Sequence, residues 1–475
     1  MLNFKKGLIN LKKIISILYT VVLVVALSVQ PVYASSTENT TETDTQESIP
    51  PEDAPDIHSE AAIVMDAATG QILYEKNAYT TLYPASITKI LTTLVALENN
   101  DINSVITMSE EAVYGIDWDS THIGLKAGEQ ITVKDALYAT MLASANEAAW
   151  GLAEHTSGDL ETFCTLMNDR AKEIGCIGTN FVNANGLHND NHYTCAYDMA
   201  LITKEALKNP DFVTIASTRY YEIEPTSYTP ETRYLVQGNQ LQNPESEYYY
   251  KYCYGGKVGY TNMAQGTLVS WAQQDGVTLI CVTMKASLGA YKYMDTTALF
   301  DYAFDKYAKM YPLNTFQFTS EDIANTETFL NDFYGGKNLG KLTLTADLST
   351  YVLAEKDTPY SHLDTIYEMS TEELDEHISG YLKIYHEDTL LHSIPVYFDG
   401  YINSEDEAAV EAAIAAGIIK RPINFSFGKF FATLIIVGIL LVVGRYYYKK
   451  MSYVRKKRKE YIRRRNEARK NGDSF

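Results

Sequence analysis

The stretch Pro-Ala-Ser-Ile-Thr-Lys at residues 84–89 constrains the fold of this 475-residue chain more than any other feature. Proline has no backbone N–H and is excluded from a helix interior, whereas residues 90–97 are apolar at roughly helical spacing. The pattern therefore predicts a helix that begins at about Ala85 or Ser86. Ser86 and Lys89 then lie three residues apart on one face of that helix.

The Ser86–Lys89 pair has the chemistry of a nucleophile and its base. A serine hydroxyl attacks only when a base takes its proton, and an amine can do so when burial or a second cation lowers its pKa. The start of a helix also favours negative charge. Alone, however, Ser-x-x-Lys is a weak signal, because it recurs at Ser426–Lys429 beside an apolar run. A capping serine followed by a solvated lysine is the ordinary interpretation of an isolated match.

Two further motifs follow in order, Ser144-Ala145-Asn146 and Lys257-Val258-Gly259-Tyr260-Thr261. With them the chain resembles the penicillin-recognising serine D-alanyl-D-alanine carboxypeptidases, which carry Ser-x-x-Lys, Ser-x-Asn and Lys-Thr-Gly. The stretches 62–70, 180–187 and 191–193 are similar to the family as well. The resemblance is strong from about residue 56 to about residue 306 and weak over the segment that follows.

The resemblance implies a set of site residues for acyl transfer, which needs a nucleophile, a base, an oxyanion hole and a proton path to the leaving group. Ser86 is expected to be the nucleophile, Lys89 its base, and Ser144 the proton relay to the departing D-alanine nitrogen. Asn146 is expected to hold the substrate amide, and Lys257 and Thr261 to bind the terminal carboxylate. The backbone N–H groups of Ser86 and Tyr260 are expected to form the oxyanion hole.

Val258 departs from the family pattern, because it stands where Lys-Thr-Gly has threonine. That hydroxyl would help to bind the substrate carboxylate, and a hydrogen bond to a charged group contributes ~1.5–3 kcal/mol. Its loss is expected to weaken the reaction roughly 10- to 150-fold without abolishing it. Ala145 replaces a frequent glycine and is a smaller change.

The ends of the chain predict export and membrane anchoring. Residues 1–34 have lysines before an apolar run and a small-residue cleavage site, so they are expected to be a signal peptide. Residues 35–55 are expected to be a disordered linker. A transmembrane helix is predicted at 425–448, and the tail 449–475 is expected in the cytoplasm because of its excess of Lys and Arg. The chain's net charge is -20, so the intervening ectodomain is strongly acidic, which argues against nucleic-acid binding.

The expected fold is α+β. Strands at both ends with helices between them predict an antiparallel sheet and a helical subdomain at residues 56–310. The resemblance implies that this is a serine β-lactamase/DD-peptidase-like catalytic domain. It contains hairpins at 61–74 and 266–284, helices between 133 and 208, and a closing helix at 295–307. A small all-β sandwich is expected at 311–402, with its strand at 394–398 on an edge because of Pro395. A linker helix is expected at 403–424.

Other chemistries have little support. The nine histidines and five cysteines show no metal-ligand spacing, so neither a metal nor a cofactor is expected. His192 is interpreted as a structural hydrogen-bonding residue, and the many tyrosines as packing residues.

The leading hypothesis is a membrane-anchored serine D-Ala-D-Ala carboxypeptidase with its catalytic domain outside a bacterial cell. It would trim peptidoglycan stem peptides and be inhibited covalently by β-lactams. The alternatives are a β-lactamase-type hydrolase and a non-catalytic wall-binding protein.

Overall fold

The structure is a computed structural model of the chain, and it describes residues 50–334, 342–369 and 378–399. The strands are β1 Ala61–Asp66, β2 Ile72–Lys76, β3 Val105–Thr107, β4 Gln130–Thr132, β5 Tyr220–Ile223, β6 Arg233–Val236, β7 Cys253–Thr261, β8 Gln265–Gln274, β9 Val277–Ala286, β10 Tyr307–Met310, β11 Thr343–Thr345, β12 Val352–Glu355, β13 Leu363–Met369, β14 Ile378–His386 and β15 Thr389–Asp399. The α-helices are α1 Lys89–Asn99, α2 Glu110–Tyr114, α3 Val133–Met141, α4 Asn146–Ser157, α5 Leu160–Ile174, α6 Ala196–Ala206, α7 Pro210–Ser217, α8 Tyr291–Lys306 and α9 Ser320–Tyr334.

A five-stranded antiparallel sheet with the order β2-β1-β9-β8-β7 forms the frame of the larger region. The two hairpins expected from the alternation and turn residues are confirmed as β1–β2 and β8–β9. Both faces of the sheet are buried, which explains why β1 is an apolar run rather than an alternating one. Strand β7 lies at one edge of this sheet, and that edge faces the turn that carries Ser86.

The two faces of the sheet are covered by different helices. On one face, Ile63, Val269 and Val282 pack into a core with α1 and α3 to α7, the helical subdomain. On the other face, Val64 and Leu268 pack against α8. The combination of antiparallel sheet and helical subdomain agrees with the expected α+β class.

The smaller region departs from the expected all-β sandwich. It contains two sheets, β10-β12 and β11-β15-β14-β13, but also the 15-residue helix α9. The helix start is encoded locally, because Thr319 and Asp322 hydrogen-bond each other's backbone N–H in a capping box. Strand β10 pairs with β12, so this sheet begins directly after α8.

The expected edge position of residues 394–398 is wrong for the strand as a whole, because β15 lies between β14 and β11. Strand β11 pairs only with Tyr397–Asp399, however, so Pro395 faces β14 on one side and lies beyond the β11 pairing on the other. The missing N–H of the proline is tolerated for that reason.

The smaller region is fastened to the sheet edge opposite β7. The Gln71 side chain accepts from the Leu353 N–H (2.8 Å) and donates to its carbonyl (2.5 Å). Within residues 50–55, which were expected to belong to a disordered linker, the Asp53 carboxylate pairs with Lys306 Nζ at 2.7 Å. The signal-peptide, linker-helix, transmembrane and tail predictions fall outside the described residues. Among the helices that are described, none is both long and apolar enough to cross a bilayer.

Candidate active site

Ser86 lies in a 3₁₀ turn, Ala85–Thr88, that leads directly into α1. The helix expected from the proline and the apolar spacing is therefore present, and its first turn is a 3₁₀ turn rather than an α-helical one. The residue before the nucleophile, Ala85, has φ +52°, a left-handed conformation that costs an alanine of the order of 1–3 kcal/mol. The surrounding structure must hold this turn in place.

Two glycines allow the backbone to close around the turn. A β carbon on Gly186, which has φ +83°, would overlap the Ala85 carbonyl oxygen, and one on Gly259 would lie 2.8 Å from the Ser86 backbone nitrogen. Thr267 Oγ1 also donates to the Pro84 carbonyl at 2.8 Å. The backbone of Ser86 is thereby fixed against strand β7 and its neighbour β8.

A buried chain of hydrogen bonds holds the backbone of Ala85 in its left-handed conformation. The Val182 N–H donates to His192 Nδ1 (3.1 Å), so neutral His192 carries its proton on Nε2 and donates to Thr88 Oγ1 at 2.8 Å. Thr88 Oγ1 in turn donates to the Ala85 carbonyl at 2.8 Å. Burial lowers the pKa of His192 to about 3, with the Lys89 charge adding to the effect, so the imidazole stays neutral.

Lys89 is completely buried, and its amine contacts three oxygen atoms. Nζ lies 3.1 Å from Ser86 Oγ, 2.6 Å from Asn146 Oδ1 and 2.5 Å from the Asn185 carbonyl oxygen. Burial, and then the charge of Lys257, lower the pKa of Lys89 well below its usual value. A neutral amine has two N–H donors, and the two carbonyl oxygens can only accept, so the remaining lone pair faces the Ser86 hydroxyl.

Ser144 and Lys257 form a second polar pair beside the first. Ser144 has φ +58° and precedes α4, and its Oγ accepts from Lys257 Nζ at 3.0 Å. Lys257 also donates to the Val258 carbonyl at 2.8 Å and is buried. Burial, and then the nearby charge of Lys292 on α8, lower the pKa of Lys257 to about 7.

The residues after Lys257 divide between the two faces of β7. Gly259 faces the Ser86 turn, as the close approach of its β-carbon position shows. The Val258 side chain packs partly buried against the far-face core with Leu268. Tyr260 is exposed, and Thr261 Oγ1 accepts from the Ala264 N–H at 3.0 Å in the β7–β8 turn. The structure thus brings Ser86, Lys89, Ser144, Asn146 and Lys257 together, with Tyr260 and Thr261 farther along the same strand.

Three buried groups at this site were not singled out from the sequence. The Asn185 carbonyl belongs to a stretch similar to the family, but nothing in that stretch indicates its contact with Lys89. Glu147 directly follows Asn146, and Lys292 is 35 residues from Lys257 with no motif around it. Adjacency to a motif residue was the only available signal, and it applied to Glu147 alone.

The other reactive side chains have structural surroundings. All five cysteines, each within the described ranges, are free thiols, and burial raises the pKa of every one. Residues 50–334, 342–369 and 378–399 contain no His, Cys, Asp and Glu cluster suited to a metal ion. Tyr250 packs on Phe300, and Tyr248 stacks on Tyr293 beside a 490 Å³ cavity on the outer side of α8.

The fold and the site together define the class of serine enzymes in which a lysine activates the nucleophile. Comparison with known proteins identifies the family. The chain belongs to the D-alanyl-D-alanine carboxypeptidase family, whose model matches residues 47–288.

Named relatives and solved structures agree with that assignment. The D-alanyl-D-alanine carboxypeptidase DacF of Bacillus subtilis is 34% identical over 52% of this chain and 63% of its own length. The chain therefore spans less than two thirds of this relative, and 65% of DacC of Escherichia coli.

The Streptomyces K15 DD-transpeptidase is 26% identical, with a TM-score of 0.50 over 53% of this chain and 98% of the other. The DacD structure from Francisella tularensis is 24% identical, and its TM-score of 0.55 over 73% of this chain and 94% of the other shows a shared fold.

Proposed function

We propose that this protein is a serine-type D-Ala-D-Ala carboxypeptidase that removes the terminal D-alanine from peptidoglycan stem peptides. The observation that carries the proposal is the contact of the fully buried, low-pKa Lys89 amine with Ser86 Oγ at 3.1 Å. Membership of the family and the similarity to DacF support the same activity and substrate.

The reaction begins with proton transfer from Ser86 to the Lys89 lone pair as Oγ attacks the carbonyl of the penultimate D-alanine. The backbone N–H groups of Ser86 and Tyr260 receive the developing oxyanion. As the C–N bond breaks, Ser144, held by Lys257, relays the proton from the Lys89 ammonium to the departing D-alanine nitrogen, so that both side chains are restored. Asn146 holds the substrate amide. Lys257 and Thr261 bind the terminal carboxylate, and water then cleaves the acyl-enzyme.

The same acylation makes β-lactams covalent inhibitors, because the opened ring leaves its acyl group on Ser86. A fluorescent penicillin distinguishes the alternatives. A long-lived label is expected here, whereas rapid loss would indicate a β-lactamase and the absence of any label a non-catalytic wall-binding protein.

The proposed location is the bacterial envelope, with one membrane-spanning helix at residues 425–448 and the catalytic region outside the cell. The support is the sequence of the two ends, the basic tail in particular. Protease added to intact cells stripped of their wall is expected to digest residues 35–420 and to spare the tail. Protection of the large region would contradict this topology.

The direct test uses the purified full-length protein with a pentapeptide ending in D-Ala-D-Ala, followed by mass spectrometry. Loss of one alanine is expected, and Ser86→Ala should abolish it. An unchanged pentapeptide with the wild-type protein would overturn the proposal. Adding an amine acceptor extends the test, because the Streptomyces relative is named a transpeptidase. Transfer would still release D-alanine, but the product would have the mass of the trimmed peptide plus the amine less one water.

A further inference from the structure

Glu147 is a buried carboxylate that directly follows Asn146, the side chain that contacts the Lys89 amine, and the proposed reaction gives it no role. It is the second residue of α4 and is 1% exposed. Its Oε1 accepts from the Ile123 N–H at 2.7 Å and from the Leu125 N–H at 3.4 Å. Its Oε2 is buried without a hydrogen-bond partner in the described part of the chain. Burying a carboxylate oxygen without a hydrogen-bond partner costs folding free energy, which makes Glu147 a candidate for a functional role.

Glu147 holds the backbone of residues 121–125, a segment that lies against the start of α4 and is called the wall. The Asn146 N–H donates to the Thr121 carbonyl at 2.9 Å, which ties this wall to the residue that holds Lys89. From the other side, Arg233 Nε donates to the Ile123 carbonyl at 3.2 Å. Arg233 is itself fixed by an ion pair with the buried Glu129 at 2.9 Å. The wall, and with it the Glu147 carboxylate, therefore has a defined position.

We propose that Glu147 is a positioning residue whose carboxylate fastens the wall at residues 121–125 and places a negative charge near the Lys89 amine. This inference rests on the proposed function and assigns a task to one more residue of the same site.

The charged groups that face Lys89 come from three parts of the fold. Lys257 on β7 lowers the pKa of Lys89, and Glu147 on α4 raises it. His192, ahead of α6, is neutral because burial keeps its pKa at about 3. Glu147 is therefore the group that stabilises the Lys89 ammonium formed when the amine takes the Ser86 proton. It raises the pKa of Lys89 and thereby opposes the lowering by burial and by Lys257.

The change Glu147→Gln removes the negative charge but keeps the size and shape of the side chain. Glutamine keeps an oxygen for the Ile123 N–H but removes the negative charge, so the pKa of Lys89 falls. The acid limb of the acylation rate against pH is expected to move to lower pH by about one unit. The plateau rate is expected to fall about threefold, because a less basic amine accepts the proton less readily. The measurement is the second-order rate of labelling of the full-length chain by a fluorescent penicillin.

The matched control is Glu154→Gln on the same helix, where the carboxylate accepts from Ser109 Oγ at 2.6 Å and from Trp150 Nε1 at 3.0 Å. This variant should leave the acid limb in place. The wall is tested with Glu147→Ala, which lacks both oxygens. Trypsin should cut this variant faster after the exposed Lys126, whereas Glu147→Gln should be cut at the wild-type rate.

The outcomes distinguish this inference from the proposed function. A wild-type protein that penicillin does not label would overturn the proposed function and this inference with it. A labelled wild-type protein with an acid limb that Glu147→Gln leaves unmoved, or moves to higher pH, overturns the inference alone. A limb shift that Glu154→Gln reproduces also overturns it, because the effect would then be one of net charge.

Discussion

Gly259→Ala tests whether the close contact between strand β7 and the Ser86 turn builds the oxyanion hole. A β carbon at this position would lie 2.8 Å from the Ser86 nitrogen and 3.1 Å from the Ala85 β carbon, and it would overlap Thr267 Oγ1. Carbon and nitrogen atoms that are not bonded normally stay about 3.5 Å apart. The strand and the turn must therefore separate by about half an ångström or more.

That displacement is enough to remove one oxyanion donor. An N–H···O hydrogen bond of about 2.9 Å that lengthens to about 3.5 Å contributes little. Loss of one such donor costs about 10²- to 10³-fold in rate, or ~2.7–4 kcal/mol of transition-state stabilisation. The Thr267–Pro84 bond lies in the same contact, and its loss costs only about 1 kcal/mol of folding free energy. The variant should therefore fold and yet be acylated very slowly.

The assay is the rate of acylation by a fluorescent penicillin, with thermal unfolding measured in parallel. Gly266→Ala on the neighbouring strand β8 is the matched control, since its β carbon comes no closer than 3.2 Å, to the Ala286 carbonyl oxygen. It should change the rate less than about tenfold. Acylation of Gly259→Ala within a few-fold of the wild-type rate would refute the role given to this contact.

Two further predictions concern the groups around Lys257. Because Val258 packs on the far face of β7, Val258→Thr should change kcat/KM for a D-Ala-D-Ala peptide only a few-fold, whereas Thr261→Val should lower it about tenfold or more. A tenfold gain from Val258→Thr would instead restore the expectation drawn from the family motif. Lys292→Gln removes a cation that lowers the pKa of Lys257. That pKa should rise from about 7, Lys257 should stay protonated to higher pH, and the basic limb of kcat/KM should move up by about one unit. A limb that stays in place, or moves down, would show that Lys257 does not set it.

The sequence predicted the parts of the fold that are encoded locally. The β1–β2 and β8–β9 hairpins follow from alternation and turn residues, and the helix after Pro84 follows from the proline and the apolar spacing. Helix α9 is also encoded locally by its Thr319–Asp322 capping box, although the alternating strands around it predict an all-β region. The proline predicted an edge strand, but β15 is an inner strand, and the place of Pro395 beyond the β11 pairing depends on how far β11 extends along β15.

The candidate site likewise has some features that the sequence predicts and others that depend on the assembled fold. The three motifs identified the nucleophile, the lysine and their neighbours by residue type and order. The Asn185 carbonyl meets the Lys89 amine across 96 residues of chain, and a backbone acceptor leaves no residue-type signal. The depth of burial that lowers the pKa of Lys89 is likewise a property of the assembled core.

The central claim is that Ser86 is the nucleophile that Lys89 activates. Its most direct test is mass spectrometry of the full-length protein after brief exposure to penicillin, with proteolysis to locate the adduct. One penicilloyl group per chain is expected on the peptide that contains Ser86, and Ser86→Ala should carry none. An adduct that persists in Ser86→Ala, or that maps to Ser426 in the second Ser-x-x-Lys match, would contradict the account.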